Sequence, residues 1–345
     1  MTSKQLVTAA LAGQPVPRVP TGPLAVHFCA GHAGYTLRQY TTSARIMAES
    51  VIRYWERFRP DAVWLSADTW VNAEAMGAEV GAITDDQPFG ALGGPLVGCA
   101  ADIDRIPAPD VGSQGRYPLM LDALERIVSA LGDEVFIVAC MDQYPFSLAA
   151  ALMGINEIML MLYDDPPFVA ALLERCTEYV LAYGTALAAA GADMLSGGDS
   201  PAGLVGPALY EEGVLPAERG LLARLKGAVG IPTSLHICGN ATAILPLMAT
   251  SGADVLELDH AVDLAHACRI VGPGIALWGN LDPVSVLARG TPEVVRAHAA
   301  AAIAAAADHR RFVLSSGCTL AVETPAANID ALISAQGRPL ALHTG

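Results

Sequence analysis

The chain contains eight short apolar runs of β-strand type, most of them separated by helix-like stretches. The runs are Leu24–Phe28, Ala62–Asp68, Val135–Cys140, Ala192–Asp199, Pro232–Cys238, Ala253–His260, Ile275–Asn280 and Arg311–Cys318. The helix-like stretches are Ala44–Phe58, Met120–Leu131, Asp165–Ala190, Glu218–Val229, Thr242–Ser251, Asp263–Val271 and Pro292–Ala307. This alternation predicts a parallel sheet with crossover helices. Eight such units predict an α/β fold closed into a (β/α)8 TIM barrel.

An open doubly wound sheet is the alternative fold. It would place a Gly-x-Gly-x-x-Gly turn between an early strand and a helix, and neither Gly31–Gly34 nor Gly90–Gly98 has that spacing. No low-complexity linker divides the chain, so we expect a single domain over residues 1–345, with an N-terminal extension, Met1–Pro23, packed against the barrel. The Pro- and Gly-rich segment Gln87–Gly112 is then a long excursion that shapes one side of the barrel mouth.

Composition limits the partners and the compartment. A net charge of −15 without a basic cluster predicts a surface that repels nucleic acid and anionic membranes. No uninterrupted apolar run reaches the roughly 18 residues that indicate a membrane span, and we expect no signal peptide at the N-terminus. Seven cysteines without a regular framework fit reduced thiols. We therefore expect a cytoplasmic protein that binds neither nucleic acid nor membranes, and the sequence leaves a homodimer open.

Three residues at the predicted strand ends form a metal-ligand set. Active sites of TIM barrels lie at the C-terminal ends of the strands. His236 and Cys238 are two residues apart, so on a strand their side chains point to the same face, and Cys318 ends the last predicted strand. The alternative interpretation is that these three residues are unrelated to one another and form no common site. One nitrogen and two thiolates are a zinc set that leaves a coordination position for a substrate. Two cysteine ligands suit delivery of a sulfur nucleophile to a methyl group better than activation of water.

Other polar residues at strand ends are candidates with a simpler alternative. Asp68 and Asp199 are expected to be catalytic, by orienting a ligand histidine, by accepting a substrate hydrogen bond or by handling a proton. Capping of the next helix explains either aspartate without catalysis, and for Asp199 the two interpretations have equal weight. Asn240 and Asn280 each follow a glycine, so turn chemistry alone can explain them. His27 taken alone is better explained as a satisfied polar residue.

Several segments together resemble one known family. They are Asp61–Asp68 with Glu74-Ala-Met-Gly-Ala78, Tyr144-Pro-Phe-Ser-Leu-Ala149, Gly191-Ala-Asp-Met194, His236-Ile-Cys-Gly-Asn240, Gly279-Asn-Leu-Asp-Pro283, and Ser316-Gly-Cys318 with Thr324-Pro325 and Asn328. From about Val19 to Leu332 the chain resembles the uroporphyrinogen decarboxylase superfamily. The His-x-Cys pattern with a distant Cys is the specific part, and it resembles the zinc signature of the corrinoid-dependent, methylcobalamin:thiol methyltransferase branch.

The resemblance implies an activity and its residues. In that branch zinc holds a thiol, such as coenzyme M, that exchanges a methyl group with a corrinoid. By the resemblance the zinc ligands are His236, Cys238 and Cys318, and the residues expected to contact substrate are His27, Tyr144, Asn240, Asn280 and Asp282. The substrate would be a small-molecule thiol or methyl donor.

The corrinoid is expected to bind in trans. The Asp-x-His-x-x-Gly motif of corrinoid domains is missing, because Asp259-His260 and Asp308-His309 have the wrong spacing. The methyl carrier would therefore be a separate corrinoid protein or free cobalamin (methylcobalamin). We expect it to meet the rim of strand-end loops, including Gln87–Gly112 and Gly203–Pro216, since reacting atoms must come within about 3–3.5 Å.

Two alternatives stay open. The first is a decarboxylase acting on a tetrapyrrole. That branch uses an arginine-rich N-terminal loop, whereas His27–Tyr35 contains no arginine and Arg38 is the only basic residue nearby. The second is a non-catalytic corrinoid- or tetrapyrrole-binding barrel with structural zinc, for which His260 or Glu323 would be the fourth ligand.

Overall fold

The computed structural model describes residues 1–335 and confirms the TIM-barrel fold. Seven parallel strands follow one another around the sheet in chain order. They are β1 Ala62–Leu65, β4 Phe136–Gln143, β5 Met194–Gly198, β6 Ser234–Ile237, β7 Val255–Leu258, β8 Ala276–Leu281 and β9 Phe312–Ser316, and a separate hairpin pairs β2 Val80–Gly81 with β3 Gly90–Ala91. The predicted single domain extends to residues 336–345, which lie outside the described residues.

Each helix-like stretch of the sequence contains a helix. The helices are α1 Ser3–Leu11, α2 Val26–Ala33, α3 Leu37–Thr42, α4 Ala44–Phe58, α5 Val71–Ala75, α6 Ala100–Ile103, α7 Tyr117–Leu131, α8 Pro145–Met153, α9 Ile155–Asp164, α10 Pro166–Ala189, α11 Gly206–Leu209, α12 Leu215–Ala228, α13 Leu245–Met248, α14 Leu264–Val271, α15 Pro292–Ala305 and α16 Ala326–Ile333. Short 3₁₀ turns cover Ser200–Leu204 and Ala241–Ala243, and π-helical turns cover Tyr210–Val214 and Pro283–Ala288.

None of the described helices is by itself long and apolar enough to cross a membrane. The pair α8 and α9 passes that test of length and composition only when taken together, across a bend of 110°.

The first predicted strand, Leu24–Phe28, is wrong because helix α2 occupies most of that run. The chain instead closes the barrel a few residues earlier. Thr21 forms a parallel bridge to Leu314 of β9, and its carbonyl accepts a hydrogen bond from the amide of Asp61 at 2.8 Å. Pro23 has no N–H to extend this ladder. The eighth strand position is therefore filled by a single bridge that joins the last strand to the first.

The strand register aligns a row of side chains inside the barrel. His236 of β6 lies beside Glu257 of β7, and Glu257 lies beside Trp278 of β8. Residues in register on parallel strands share a face. Trp278 packs edge-on against Trp64 of β1 with ring centroids 5.7 Å apart. The barrel interior thus combines a tryptophan core with the polar pair of His236 and Glu257.

The N-terminal extension packs against the barrel as predicted. The Lys4 amide donates to the Glu134 carbonyl at 3.1 Å, just before β4, and the Ser3 hydroxyl donates to Asp61 at 2.6 Å, just before β1. Arg311, just before β9, donates to the Leu11 carbonyl at 2.5 Å. All three contacts lie at the N-terminal ends of strands, so the extension leaves the opposite mouth open.

Candidate metal centre at the barrel mouth

The structure brings His236, Cys238 and Cys318 together. His236 lies on β6, Cys238 follows that strand, and Cys318 follows β9. One ligand atom from each residue lies within 4.8 Å of the others, and His236 Nε2 is 3.0 Å from Cys238 Sγ. Among residues 1–335, no other cluster of three or more histidine, cysteine or carboxylate side chains is close enough to hold a metal ion. Neither His260 nor Glu323 belongs to this group. The arrangement therefore offers three ligands and leaves a coordination position for another molecule.

The His236 ring is held by the neighbouring strand. Its Nδ1 donates to the Glu257 carbonyl at 3.0 Å, so Nε2 is the nitrogen that faces the cysteines. Such a bond fixes the tautomer of a metal-binding histidine. The Glu257 carboxylate below it is buried and accepts hydrogen bonds from Ser196 at 2.7 Å and from Ser234. The histidine is therefore positioned before any ligand arrives.

The three side chains also tune one another's charge. Burial alone would lower the pKa of His236, but its hydrogen bond to Cys318 and the nearby Glu257 raise that pKa to about 9. The hydrogen bond between the thiols lowers the pKa of Cys238 to about 7, and the same bond together with burial raises the pKa of Cys318 to about 12. Ser200 donates to Cys238 Sγ at 3.1 Å. The thiolate form of Cys238 is thus favoured, and the thiolate is the form of cysteine that binds metals.

Ser200 was missed in the sequence analysis. It directly follows the strand-end residue Asp199, and that position was the only sequence signal that could have identified it.

Asp68, expected to be catalytic, is held in an ion pair. Its carboxylate accepts from both terminal nitrogens of Arg116, at 2.5 and 3.0 Å, and from the Trp70 amide at 2.9 Å. The Arg116 Nε donates to Glu74 at 2.5 Å, and the guanidinium lies 4.3 Å from the centroid of the Phe89 ring. Sequence reasoning missed Arg116, because nothing near it in the chain indicates this contact. The catalytic role of Asp68 stays a prediction.

Asp199 lies behind the metal ligands and is buried. Its backbone amide donates to the His236 carbonyl at 2.8 Å, and its carboxylate accepts from the Ser147 amide at 2.6 Å. It does not cap the following 3₁₀ turn, which removes that alternative. Burial raises the pKa of both Asp199 and its hydrogen-bonded neighbour Glu218, and the Tyr210 hydroxyl donates to Glu218 at 2.5 Å. Both carboxyl groups therefore favour the protonated form more than exposed ones do, and the catalytic role of Asp199 stays a prediction.

Among the expected substrate contacts, His27 lies elsewhere than predicted and Tyr144 is buried in the barrel wall, and substrate binding by both residues stays a prediction. His27 is on helix α2 and not at the end of a strand, because the first predicted strand does not form. Its Nε2 lies 2.8 Å from the Ala67 carbonyl. Tyr144 is fully buried, and its hydroxyl donates to the Ser234 carbonyl at 2.6 Å. The tyrosine therefore supports the barrel wall, and its hydroxyl already has a partner.

Of the remaining three, Asn240 and Asp282 make turn contacts, whereas Asn280 lies on β8 and its side chain bonds to the segment after β7. Asn240 accepts from the Thr242 amide at 3.2 Å. The side-chain Nδ2 of Asn280 donates to the Asp259 carbonyl at 3.1 Å and to the Val262 carbonyl at 2.8 Å. Asp282 caps the turn at Pro283–Ala288. Asn280 and Asp282 also line a groove of about 570 Å³, and substrate binding by all three residues stays a prediction.

The chain is similar to known proteins over most of its length. The family model described as "Uroporphyrinogen decarboxylase (URO-D)" matches residues 2–338. The methylcobamide:CoM methyltransferase MtaA of Methanosarcina barkeri is 28% identical over 97% of this chain and 97% of its own length. The uroporphyrinogen decarboxylase of Xanthomonas axonopodis pv. citri is 31% identical over 86% of each chain. A solved methyltransferase structure from Methanosarcina mazei superposes with a TM-score of 0.89 at 26% identity and covers 98% of both chains.

Proposed function

The chain belongs to the uroporphyrinogen decarboxylase family, and we propose that it is a zinc-dependent methyltransferase. The methyl group would move between a corrinoid and the sulfur of a small thiol or a related small acceptor. The observation that carries this proposal is the convergence of His236, Cys238 and Cys318 within 4.8 Å at the mouth of the barrel. Relatives named as methylcobamide:CoM methyltransferases that align over nearly the whole chain support it.

The donor set fits zinc. It contains one imidazole and two sulfurs, and hydrolytic zinc sites more often use histidine-rich or histidine and carboxylate sets. When bound, zinc would keep a substrate thiol deprotonated. The residues of this chain do the rest: the Glu257 carbonyl orients His236, and Ser200 donates to Cys238. Because all of them lie at the strand ends, the substrate sulfur is presented to the open mouth.

The corrinoid is proposed to act in trans, on a separate corrinoid protein or as free cobalamin. Its methyl-bearing face must approach the mouth, since the thiol is held there and the reacting atoms have to meet within about 3–3.5 Å. The proton of an incoming thiol is released near neutral pH. Calorimetry in buffers of different ionisation enthalpy measures that release.

Replacement of one proposed ligand tests the metal site. Elemental analysis of the purified protein should show about one zinc per chain, the stoichiometry of a single catalytic site. Cys318→Ala should lose most of it, because a ligand sulfur is removed. Cys268→Ala, which removes a half-buried thiol on helix α14, is the matched control and should keep its zinc. Full zinc retention by Cys318→Ala would refute the ligand assignment.

The activity is tested with methylcobalamin and a panel of thiols. Transfer of the methyl group changes the cobalamin spectrum, and the zinc-loaded protein should produce that change whereas Cys318→Ala should not. A zinc-loaded protein that leaves the spectrum unchanged with every thiol and with corrinoid protein would contradict the proposal.

Decarboxylation of a tetrapyrrole is the second candidate, and the relative named uroporphyrinogen decarboxylase supports it. Asp68 follows β1 at the mouth, but Arg116 and the Trp70 amide occupy its carboxylate. A polycarboxylate substrate also needs several cations, and the net charge of this chain is −15. Tight binding of a tetrapyrrole polycarboxylate, with no proton release on addition of a thiol, would favour the decarboxylase.

A further inference from the structure

A cavity of about 400 Å³ opens among the loops at the barrel mouth, and its lining includes Pro201, the residue after Ser200. The end of β4, the loops after β1 and β5, the excursion Gln87–Gly112 and helix α8 contribute to its wall. Its lining includes Trp70, Gln143, Ala151 and Pro201. None of the described residues that line it carries a charge. Most of the surface offered to a ligand is therefore apolar.

The wall of the cavity is linked to the metal ligands through the Ser200–Pro201 segment. Pro201 in its wall follows Ser200, and the Ser200 hydroxyl donates to Cys238 Sγ at 3.1 Å. Trp70 in its wall is held through its amide by Asp68, at 2.9 Å. A thiol bound at the metal ligands could thus place the rest of its structure between these two walls.

One polar atom in the wall lacks a partner. The side-chain oxygen of Gln143 is buried, and no described group donates to it. An unsatisfied buried acceptor is costly, and rotation of the Gln143 side-chain amide toward the cavity that it lines would let a ligand hydroxyl or N–H satisfy it. Gln143 follows Asp142 at the end of β4, so the oxygen belongs to a rigid element of the barrel.

The charges around the cavity disfavour an anionic ligand. Arg116, the buried arginine on this side of the mouth, is occupied by Asp68 and Glu74. An anionic group moved into an uncharged cavity without a cation loses its hydration and gains no counter-charge. A sulfonate or carboxylate on the substrate would therefore be poorly accommodated.

We propose that this cavity binds the body of the substrate thiol, and that this body is uncharged, mainly apolar and carries a hydrogen-bond donor for Gln143. The inference rests on the proposed function and specifies its substrate class. It separates this chain from enzymes whose thiol carries an anionic group, such as coenzyme M.

Three thiols of equal chain length test the proposal by calorimetric titration of the zinc-loaded protein. They are mercaptohexanol, hexanethiol and mercaptohexanoate. Mercaptohexanol should bind at least about tenfold more tightly than mercaptohexanoate, because only the latter brings a charge into the cavity. Gln143→Leu should reduce the affinity for mercaptohexanol to that for hexanethiol. Ala151→Phe should weaken binding of both uncharged thiols by filling the cavity.

The controls separate this inference from the proposed function. Ala182→Phe makes the same change on helix α10, outside the cavity lining, and should bind like the unchanged protein. Zinc content and circular dichroism confirm that each variant is folded and loaded. Zinc-dependent binding of all three thiols with equal affinity, or unchanged binding by Ala151→Phe, overturns the cavity proposal and leaves the methyltransferase proposal standing. If no thiol binds in a zinc-dependent way and no methyl transfer occurs, both proposals fail.

Discussion

At the scale of single residues, Arg116 organises the side of the mouth that follows β1. It binds Asp68 through two nitrogens and Glu74 through the third, and it lies over the ring of Phe89. Asp68 in turn holds the Trp70 amide. A planar guanidinium can make these contacts at once, whereas an ammonium group cannot. The arginine therefore connects the end of β1 to the excursion that shapes the mouth.

Replacement of Arg116 should be strongly destabilising. Arg116→Met leaves the Asp68 side chain, which is 1% exposed, charged and without its main partner, and we expect a loss of about 3–5 kcal/mol in the free energy of unfolding. Arg116→Lys should lose less. Urea denaturation measures both. The control is Arg105→Met at an arginine that is 77% exposed, where the loss should stay below about 1 kcal/mol. Equal losses at the two positions would contradict the assigned role of Arg116.

At the scale of elements, the loop that leaves β9 must pass very close to the loop that leaves β7. Gly317 joins the last residue of β9 to Cys318, and its amide donates to the Leu281 carbonyl at 2.7 Å. A Cβ atom at this glycine would overlap the backbone nitrogen of His260 and lie 3.0 Å from His260 Cβ. The glycine thus permits the approach that brings Cys318 to the other two ligands.

Gly317→Ala should displace Cys318 and lower the zinc content. Overpacking of this kind costs about 1–3 kcal/mol, so the unfolding midpoint should fall as well. Gly274→Ala is the matched control, since a Cβ there meets open space. Zinc analysis and urea denaturation of the two variants decide the question. A Gly317→Ala protein with full zinc content would show that the contact does not position the ligand.

The junction between the N-terminal extension and β1 depends on the buried carboxylate of Asp61. It accepts hydrogen bonds from Ser3, from two nitrogens of Arg18 and from Thr21. Burial alone would raise the pKa of Asp61, but the hydrogen bonds and charge of Arg18, with the bonds from Ser3 and Thr21, hold the pKa below its usual value. This stabilisation is present above the unfolded-state pKa, about 3.9, and is lost as the pH falls through the lower folded-state pKa.

Asp61→Asn should therefore have a pH-dependent effect. At pH 7 we expect a loss of about 3 kcal/mol, because Arg18 loses its charged partner. The difference from the unchanged protein should shrink as the pH falls below about 4. Urea denaturation across this range measures it. Asp122→Asn, at a half-exposed aspartate on α7 paired with Arg126, is the control and should show little effect at any pH. A difference for Asp61→Asn that stays constant in acid would refute the assignment.

At the scale of the whole molecule, one end of the barrel is covered and the other is open. The extension occupies the N-terminal ends of the strands, and the metal ligands lie at the opposite mouth. Exposed apolar side chains occur on the rim of that mouth, with Leu92 52% exposed and Leu204 72% exposed. These two residues lie in the segments Gln87–Gly112 and Gly203–Pro216, where we predict that a corrinoid protein docks.

Charge reversal on the rim should separate the two methyl carriers. Glu211→Lys with Glu212→Lys changes two exposed residues of the rim and should weaken transfer from a corrinoid protein by roughly tenfold. Transfer from free methylcobalamin should be unchanged. Glu293→Lys on the outer helix α15, at a side chain that is 75% exposed, is the control. If the outer-wall change abolishes protein-dependent transfer while the rim changes leave both reactions untouched, the docking hypothesis is wrong.

The sequence by itself determined the barrel class, because apolar periodicity and strand length are local properties. Seven predicted strands and the bounds of α4 appear as expected, and the spacing of His236 and Cys238 indicated that they face one way. Tertiary structure decided the rest. The barrel closes where Thr21 forms a bridge to Leu314, and Arg116 binds Asp68, which is 48 residues away in the chain. Such contacts form because the folded backbone brings distant segments together. No local pattern in the chain encodes them, and the predicted strand at Leu24–Phe28 failed for the same reason.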